Sequence, residues 1–408
     1  MKRVKGLWAY CLIFSIVIVF ISCGLSEVIA KEKKPKVIRI ASIGGISGPY
    51  AGHGGPNFHA LKHAIEYVNT KLGGVKGVPL ELVIRDTGGK VDVAISHYMD
   101  IREMRPKPLF ISMFISGEQE ALNERCAEDG IIILGSAPPR CLFPPKYMFA
   151  VAGIHYPDWY GGVLDWILTN WKETRPLRIA ILTWDTSYGR LPFSDAFYAY
   201  AKAKGVKVVA YELFGIRDVD VNTQMLRIRN KNPDWILTSC LGTGPVAIGK
   251  AMQELKYKVN WINNPGSDWG TVGINPEVME GAYCILNSVS LDEVDLPGVK
   301  VLKNYVNKYN LKPREWKAWM YEMGWPAVLI AAEATKRAVD EVGWENLDGA
   351  AVKAQLEKMS DFAPLGLANY TYTQDRHSAR SSRIYQIKNG KILPVSDWFE
   401  CPDLRPAK

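Results

Sequence analysis

Residues 37–74 read VIRIASIGGISGPYAGHGGPNFHALKHAIEYVNTKLGG. Residues 37–43 are a β-branched, apolar run of strand length. The segment from Gly44 to Gly55 is dense in glycine and reads as a loop. Pro56 suits the first helical position, where its missing N–H would have no partner anyway. Phe58, Leu61, Ile65, Val68 and Leu72 then recur at steps of three and four, which predicts an amphipathic helix stopped by Gly73-Gly74. Strand, loop and helix make one α/β unit.

The unit repeats downstream. Residues 80–84 predict a strand, 91–104 a helix and 109–113 a strand. Residues 119–128 predict a helix and 131–134 a buried strand. The same grammar restarts with a helix over 159–171 and strands at 178–182, 206–211, 235–239 and 259–262. Helices over 194–204, 222–230 and 245–255 lie between them. Repeated βα units imply parallel sheets covered by helices. No Pro/Ser-rich spacer separates the two series, so two lobes should pack as one hinged body. Three helices near 304–309, 321–339 and 348–358 precede a hairpin, residues 384–387 and 392–393 around Asn389-Gly390.

The ends and the composition exclude several classes. Lys2, Arg3 and Lys5 precede an uncharged stretch, 7–21, which reads as an export signal over residues 1–30, with a polar tail over 31–36. Two processing sites are open. Phe20-Ile21-Ser22-Cys23 resembles a lipoprotein box that would lipidate Cys23, and Val28-Ile29-Ala30 suits ordinary cleavage before Lys31. The formal charge of +8 is spread out rather than gathered in an aromatic-laced basic stripe, which argues against nucleic acid as a partner. No C-x-x-C, H-E-x-x-H, G-x-S-x-G or phosphate-loop motif is present, so no metal, no cofactor and no catalytic residue is expected. Cys126 and Cys141 flank the strand 131–134 and would pair if the chain folds back there.

The ordered motifs resemble those of periplasmic solute-binding proteins of the branched-chain amino-acid-binding type. They include Ile46-Ser47-Gly48-Pro49-Tyr50-Ala51, Val68-Asn69 before Gly73-Gly74-Val75-Lys76-Gly77, and Asp86 after its strand. They continue with Ser136-Ala137-Pro138, Trp184-Asp185-Thr186-Ser187-Tyr188-Gly189 and Tyr385-Gln386-Ile387-Lys388-Asn389-Gly390-Lys391, spanning about residues 37–395. The resemblance implies an α/β fold of two Rossmann-like lobes joined by three crossovers, the type I periplasmic binding protein fold. It places the first lobe at 37–152 plus 289–363, the second at 153–288 plus 364–400, and a C-terminal tail at 401–408. It implies a cleft between the lobes that takes a small molecule at the carboxyl ends of the strands.

By the same resemblance, Ser116 and Gly117 would hold an anionic group at a helix start. Ala137 would approach through its backbone. Tyr188 and Tyr50 would close over the ligand, and Asp268, beside Trp269, would hold an ammonium. Tyr156 and Trp159 are candidates for the cleft mouth. Pro138 and Pro139 depart from the family pattern, in which a threonine often grips the carboxylate. The implied function is extracytoplasmic capture of a branched-chain or related amino acid for an ABC importer's permease. An aromatic or other carboxylate, or an amide, is the alternative, as is a ligand-sensing receptor. The expected protein is not an enzyme, is monomeric, and resides in the periplasm or cell envelope.

Overall fold

The computed structural model describes residues 34–265 and 269–405. The export signal and Cys23 lie outside them. Two sheets organise the chain. The first is parallel, in the order β2-β1-β3-β4-β5: β1 Ile38–Gly44, β2 Leu80–Asp86, β3 Phe110–Met113, β4 Ile132–Gly135 and β5 Met148–Ala150. Every residue of β3, β4 and β5 is buried, as a parallel sheet covered on both faces requires.

The second sheet runs β12-β11-β10-β9-β8-β6-β7. Its members are β6 Arg178–Trp184, β7 Lys207–Phe214, β8 Trp235–Thr238, β9 Asn260–Asn263, β10 Tyr283–Leu286, β11 Ser381–Lys388 and β12 Lys391–Pro394. A two-residue β13, Phe399–Glu400, pairs with β11. Strands β6 to β10 are parallel, and β11 and β12 are antiparallel. The expected hairpin forms, with Asn389 and Gly390 both at positive φ, 52° and 69°, as a two-residue type I′ turn demands.

Four helices position the site: α1 Ala51–Lys71, α2 Ser116–Glu128, α3 Tyr156–Thr169 and α4 Trp319–Val342. The first corrects the sequence reading. Helix α1 starts at Ala51, directly after a 3-10 turn at Gly48–Tyr50, and Pro56 lies inside it. Residues 51–55 are therefore helix rather than loop. Their glycines serve close packing: a Cβ on Gly54 would collide with the Gly45 carbonyl. Helix α4, distant in sequence, packs along α1. A Cβ on Gly324 would stand 2.6 Å from that of Ala60, and Asn57 Nδ2 donates to the Met320 carbonyl at 3.3 Å.

Three passages of chain between the sheets lie side by side. Ala150 N donates to His377 O (2.8 Å), the Tyr372 hydroxyl to Ala150 O (2.8 Å), and the Tyr370 hydroxyl to Val151 O (3.1 Å). Val289 N donates to Leu367 O at 2.8 Å. The crossover bundle is thus laced by backbone acceptors and buried tyrosines. Cys126 and Cys141 do not pair; both are buried as free thiols, and burial pushes the Cys126 thiol up to about 12. Each is held within its own packing, Cys126 on α2 and Cys141 in the short helix Pro139–Leu142. Residues 401–405 also belong to the body: Cys401 is buried, and Leu404 N donates to Asp158 Oδ1 at 2.8 Å.

Candidate functional site

Loops at the carboxyl ends of β1 to β4, and of β6 and β8, enclose a cavity of about 160 Å³. An apolar cavity of about 150 Å³ is enough to hold a benzene ring, so the space suits a solute of that scale. The first sheet's side contributes Tyr50, Phe114, Ser116, Gly117 and Ser136. The second sheet's side contributes Trp159, Thr186, Ser187, Tyr188 and Leu241. Ala152 from the crossover and Trp319 and Met320 from the first turn of α4 complete the walls.

Ser116 opens α2, whose preceding residue, Ile115, gives no side-chain cap. The amides of Glu118 and Gln119 bond back to Ile115 O, so the α2 start presents Ser116 and Gly117 to the cavity with the positive end of the helix dipole behind them. Ser116 Oγ lies 2.9 Å from the Tyr156 hydroxyl. That tyrosine is fully buried, stacked on Trp159 (8° between rings) and met edge-on by Tyr188 at 5.5 Å. Burial pushes its phenol up to about 12, although Ser116, Ser136 and the Ala137 backbone favour the ionised form. Trp159 reaches the cavity across Gly153, whose φ of 105° and bare Cα leave room for the indole. Tyr188 sits on a short helical turn capped by Thr186, whose Oγ1 accepts from Gly189 N at 3.2 Å.

Of the residues expected from the sequence, Ser116, Gly117, Tyr188 and Tyr50 line the cavity. Ala137 is buried behind the wall, its backbone facing Tyr156. Asp268 lies outside the described residues. Trp159 lines the cavity with Tyr156 behind it. His53, Phe114, Trp319 and Met320 were not foreseen. The glycine loop hid the helical start that carries His53, and no local pattern shows that residue 319 returns to a cavity built around residue 116.

Glu118, two residues after Ser116, is buried with Oε1 accepting from Thr87 Oγ1 at 2.6 Å. Desolvation raises its pKa from 4.5 to about 7, and the nearby Asp86 adds to the shift. Between those values the unfolded chain releases a proton that the folded chain keeps, so stability falls as pH rises from 4.5 to 7 and then levels off. At about 1.36 kcal/mol per pH unit, the deficit is roughly 3 kcal/mol. Glu118→Gln is therefore expected to gain about 2–3 kcal/mol on the parent between pH 4.5 and pH 8 in urea titrations. A difference that does not change with pH would refute the assignment.

With this geometry in place, comparison with known proteins is direct. Residues 37–391 match the family model described as "Periplasmic binding protein". The chain belongs to that family. It is accordingly a binding protein, and not an enzyme. The "Leu/Ile/Val-binding protein homolog 7" of Brucella suis is 22% identical over 376 residues, covering 88% of this chain and 91% of that protein. A Thermus thermophilus branched-chain amino acid ABC transporter structure with bound valine superposes with a TM-score of 0.81 at 19% identity, covering 90% of this chain and 97% of that one. The fatty acid ABC transporter substrate-binding protein of Thermomonospora curvata gives 0.77 at 20% identity, covering 91% and 94%. The structural likenesses establish the type I periplasmic binding protein fold. Among the described residues, no helix is long and apolar enough to cross a membrane, and no cluster of three His, Cys, Asp or Glu could hold a metal.

Proposed function

We propose that this family member captures a branched-chain or related amino acid and delivers it to the permease of an ABC importer. The two lobes are 37–152 with 289–363 and 153–288 with 364–400. The exported protein acts as a monomer, anchored through a lipid on Cys23 or freed by cleavage after Ala30. The observation that carries the reading is the cavity itself. It has molecular dimensions, walls drawn from both sheets, and a helix start with Ser116 and Gly117 at one end of an otherwise aromatic and apolar space. A carboxylate would meet the helix start and a side chain would meet Phe114, Trp159 and Trp319. The relatives named for Leu/Ile/Val binding and the neighbour with bound valine support the same ligand class.

The aromatic walls also favour a second reading, an aromatic or other carboxylate or an amide. A thermal-shift screen of amino acids, aromatic acids and amides separates the two. A ligand at 100 times its Kd is expected to stabilise the fold by about 2.7 kcal/mol. If no member of the three classes shifts the melt, the ligand assignment is wrong.

A further inference from the structure

Asn264 begins a chain of hydrogen bonds that ends on the cavity wall. It directly follows β9 and is fully buried. Its Nδ2 donates to Ser239 Oγ at 2.7 Å, and Ser239 Oγ donates to the Tyr188 carbonyl at 2.9 Å. A carbonyl cannot donate. The single hydroxyl proton of Ser239 is therefore committed to Tyr188, and its lone pairs are left for the Asn264 amide. Bonds linked in this way polarise and strengthen one another.

The middle of the chain is itself clamped. Ser239 N donates to Thr183 Oγ1 at 3.2 Å. The next residue, Cys240, is held in both directions by Asn263: its N donates to Oδ1 at 3.3 Å, and its O accepts from Nδ2 at 3.0 Å. Thr183, Ser239 and Asn263 are fully buried. The ends of β6, β8 and β9 thus hold the Ser239 hydroxyl in place, as a fixed support beneath residue 188.

Beyond that support lies the site. Tyr188 lines the cavity, and its ring meets Tyr156, whose hydroxyl is 2.9 Å from Ser116 Oγ. We propose that Asn264, acting through Ser239, is a positioning residue: it fixes the Tyr188 ring in the cavity wall and so sets how tightly a solute is held. Neither Asn264 nor Ser239 is among the described residues that line the cavity, so the effect on a solute runs through Tyr188. This rests on the capture reading above and adds to it.

The test has one arm that needs no ligand. The whole chain is labelled with 3-fluorotyrosine and followed by fluorine NMR, with Tyr188→Phe identifying the Tyr188 resonance. Ser239→Ala and Asn264→Ala should each shift or broaden it. Thr335→Ala, which deletes a buried hydroxyl bonded only within α4 to Ala331 O, should leave it in place. The second arm is calorimetry with L-leucine as the probe. Ser239→Ala should weaken it about 3- to 10-fold. In a Tyr188→Ala background the same change should cost less than about twofold, because the ring through which it acts is gone. A merely structural role would lower the ligand-free melt in both backgrounds and leave any affinity loss equal in the two.

The inference is overturned if the Tyr188 resonance stays in place in both variants, or if Ser239→Ala binds L-leucine as tightly as the parent. An equal affinity loss in the two backgrounds overturns it as well, as does failure of both variants to fold. Should only Asn264→Ala fold poorly, Ser239→Ala, which deletes a single oxygen, carries the test. If the parent does not bind L-leucine, the branched-chain reading loses its support, and the fluorine resonance alone decides the role of Asn264.

Discussion

Asp158→Ala is expected to cost about 3–5 kcal/mol of folding free energy. The side chain is fully buried in the first turn of α3. Its Oδ1 accepts from His155 Nδ1 and from Leu404 N, each at 2.8 Å, and its Oδ2 pairs with Arg376. Arg376 in turn donates through Nε to Ser378 O at 3.1 Å and pairs with Asp403 at 2.8 Å. One carboxylate therefore ties together the first passage between the sheets, the third passage and the C-terminal residues. Removing it leaves a guanidinium that is only 10% exposed with Asp403 as its remaining carboxylate partner, along with an orphaned amide. Breaking a buried pair by deleting one partner is far more damaging than replacing both. Asp158→Asn keeps the shape and one acceptor, so about 1–3 kcal/mol is expected. Urea titration with an unchanged m-value measures both losses. A loss under about 1 kcal/mol for the alanine variant would show that the network is dispensable.

Ser116→Ala should weaken binding of the identified ligand by about 1.5–3 kcal/mol, the range for a hydrogen bond to a charged group. The ligand-free protein should lose only about 1 kcal/mol, because Tyr156 forfeits one hydroxyl partner and keeps its ring packing. Tyr188→Ala acts from the opposite lobe. It removes the ring that meets Tyr156 edge-on at 5.5 Å and lines the cavity, and should speed release more than it slows capture. The combined signature is a near-parental ligand-free melt with diminished ligand-induced stabilisation. Stopped-flow release and thermal shift read the two effects separately. If both variants bind as the parent does, the site lies elsewhere; if both melt far lower without ligand, the two residues are structural only.

Much of this architecture was legible along the chain. The strands at residues 37–43, 178–182 and 235–239 are apolar runs whose period and flanks announce a covered parallel sheet, and the Asn389-Gly390 turn carries its own backbone requirement. Ser116, Gly117, Tyr50 and Tyr188 were legible through the family resemblance, whose motifs put them in the loops and helix starts that follow strands, where an α/β fold places its cavity. Pro56 misled for a local reason as well. The rule for proline at a helix start assumes that the preceding glycines form a loop, whereas here they pack a helix against backbone.

The sequence by itself determined the units: which segments become strands, which become helices, and that two α/β series follow one another without a tether. Those outcomes depend on side-chain period, turn chemistry and composition, all of them local quantities. The tertiary structure alone decided who meets whom. Trp319 reaches a cavity wall shared with Ser116, Ser187 sets its hydroxyl on Glu120, and Leu404 returns to Asp158. Cys126 and Cys141 stay apart although few residues separate them. Contacts of that kind join residues far apart in the chain. They arise from helix packing and from the need to satisfy buried charge, which no window of neighbouring residues records.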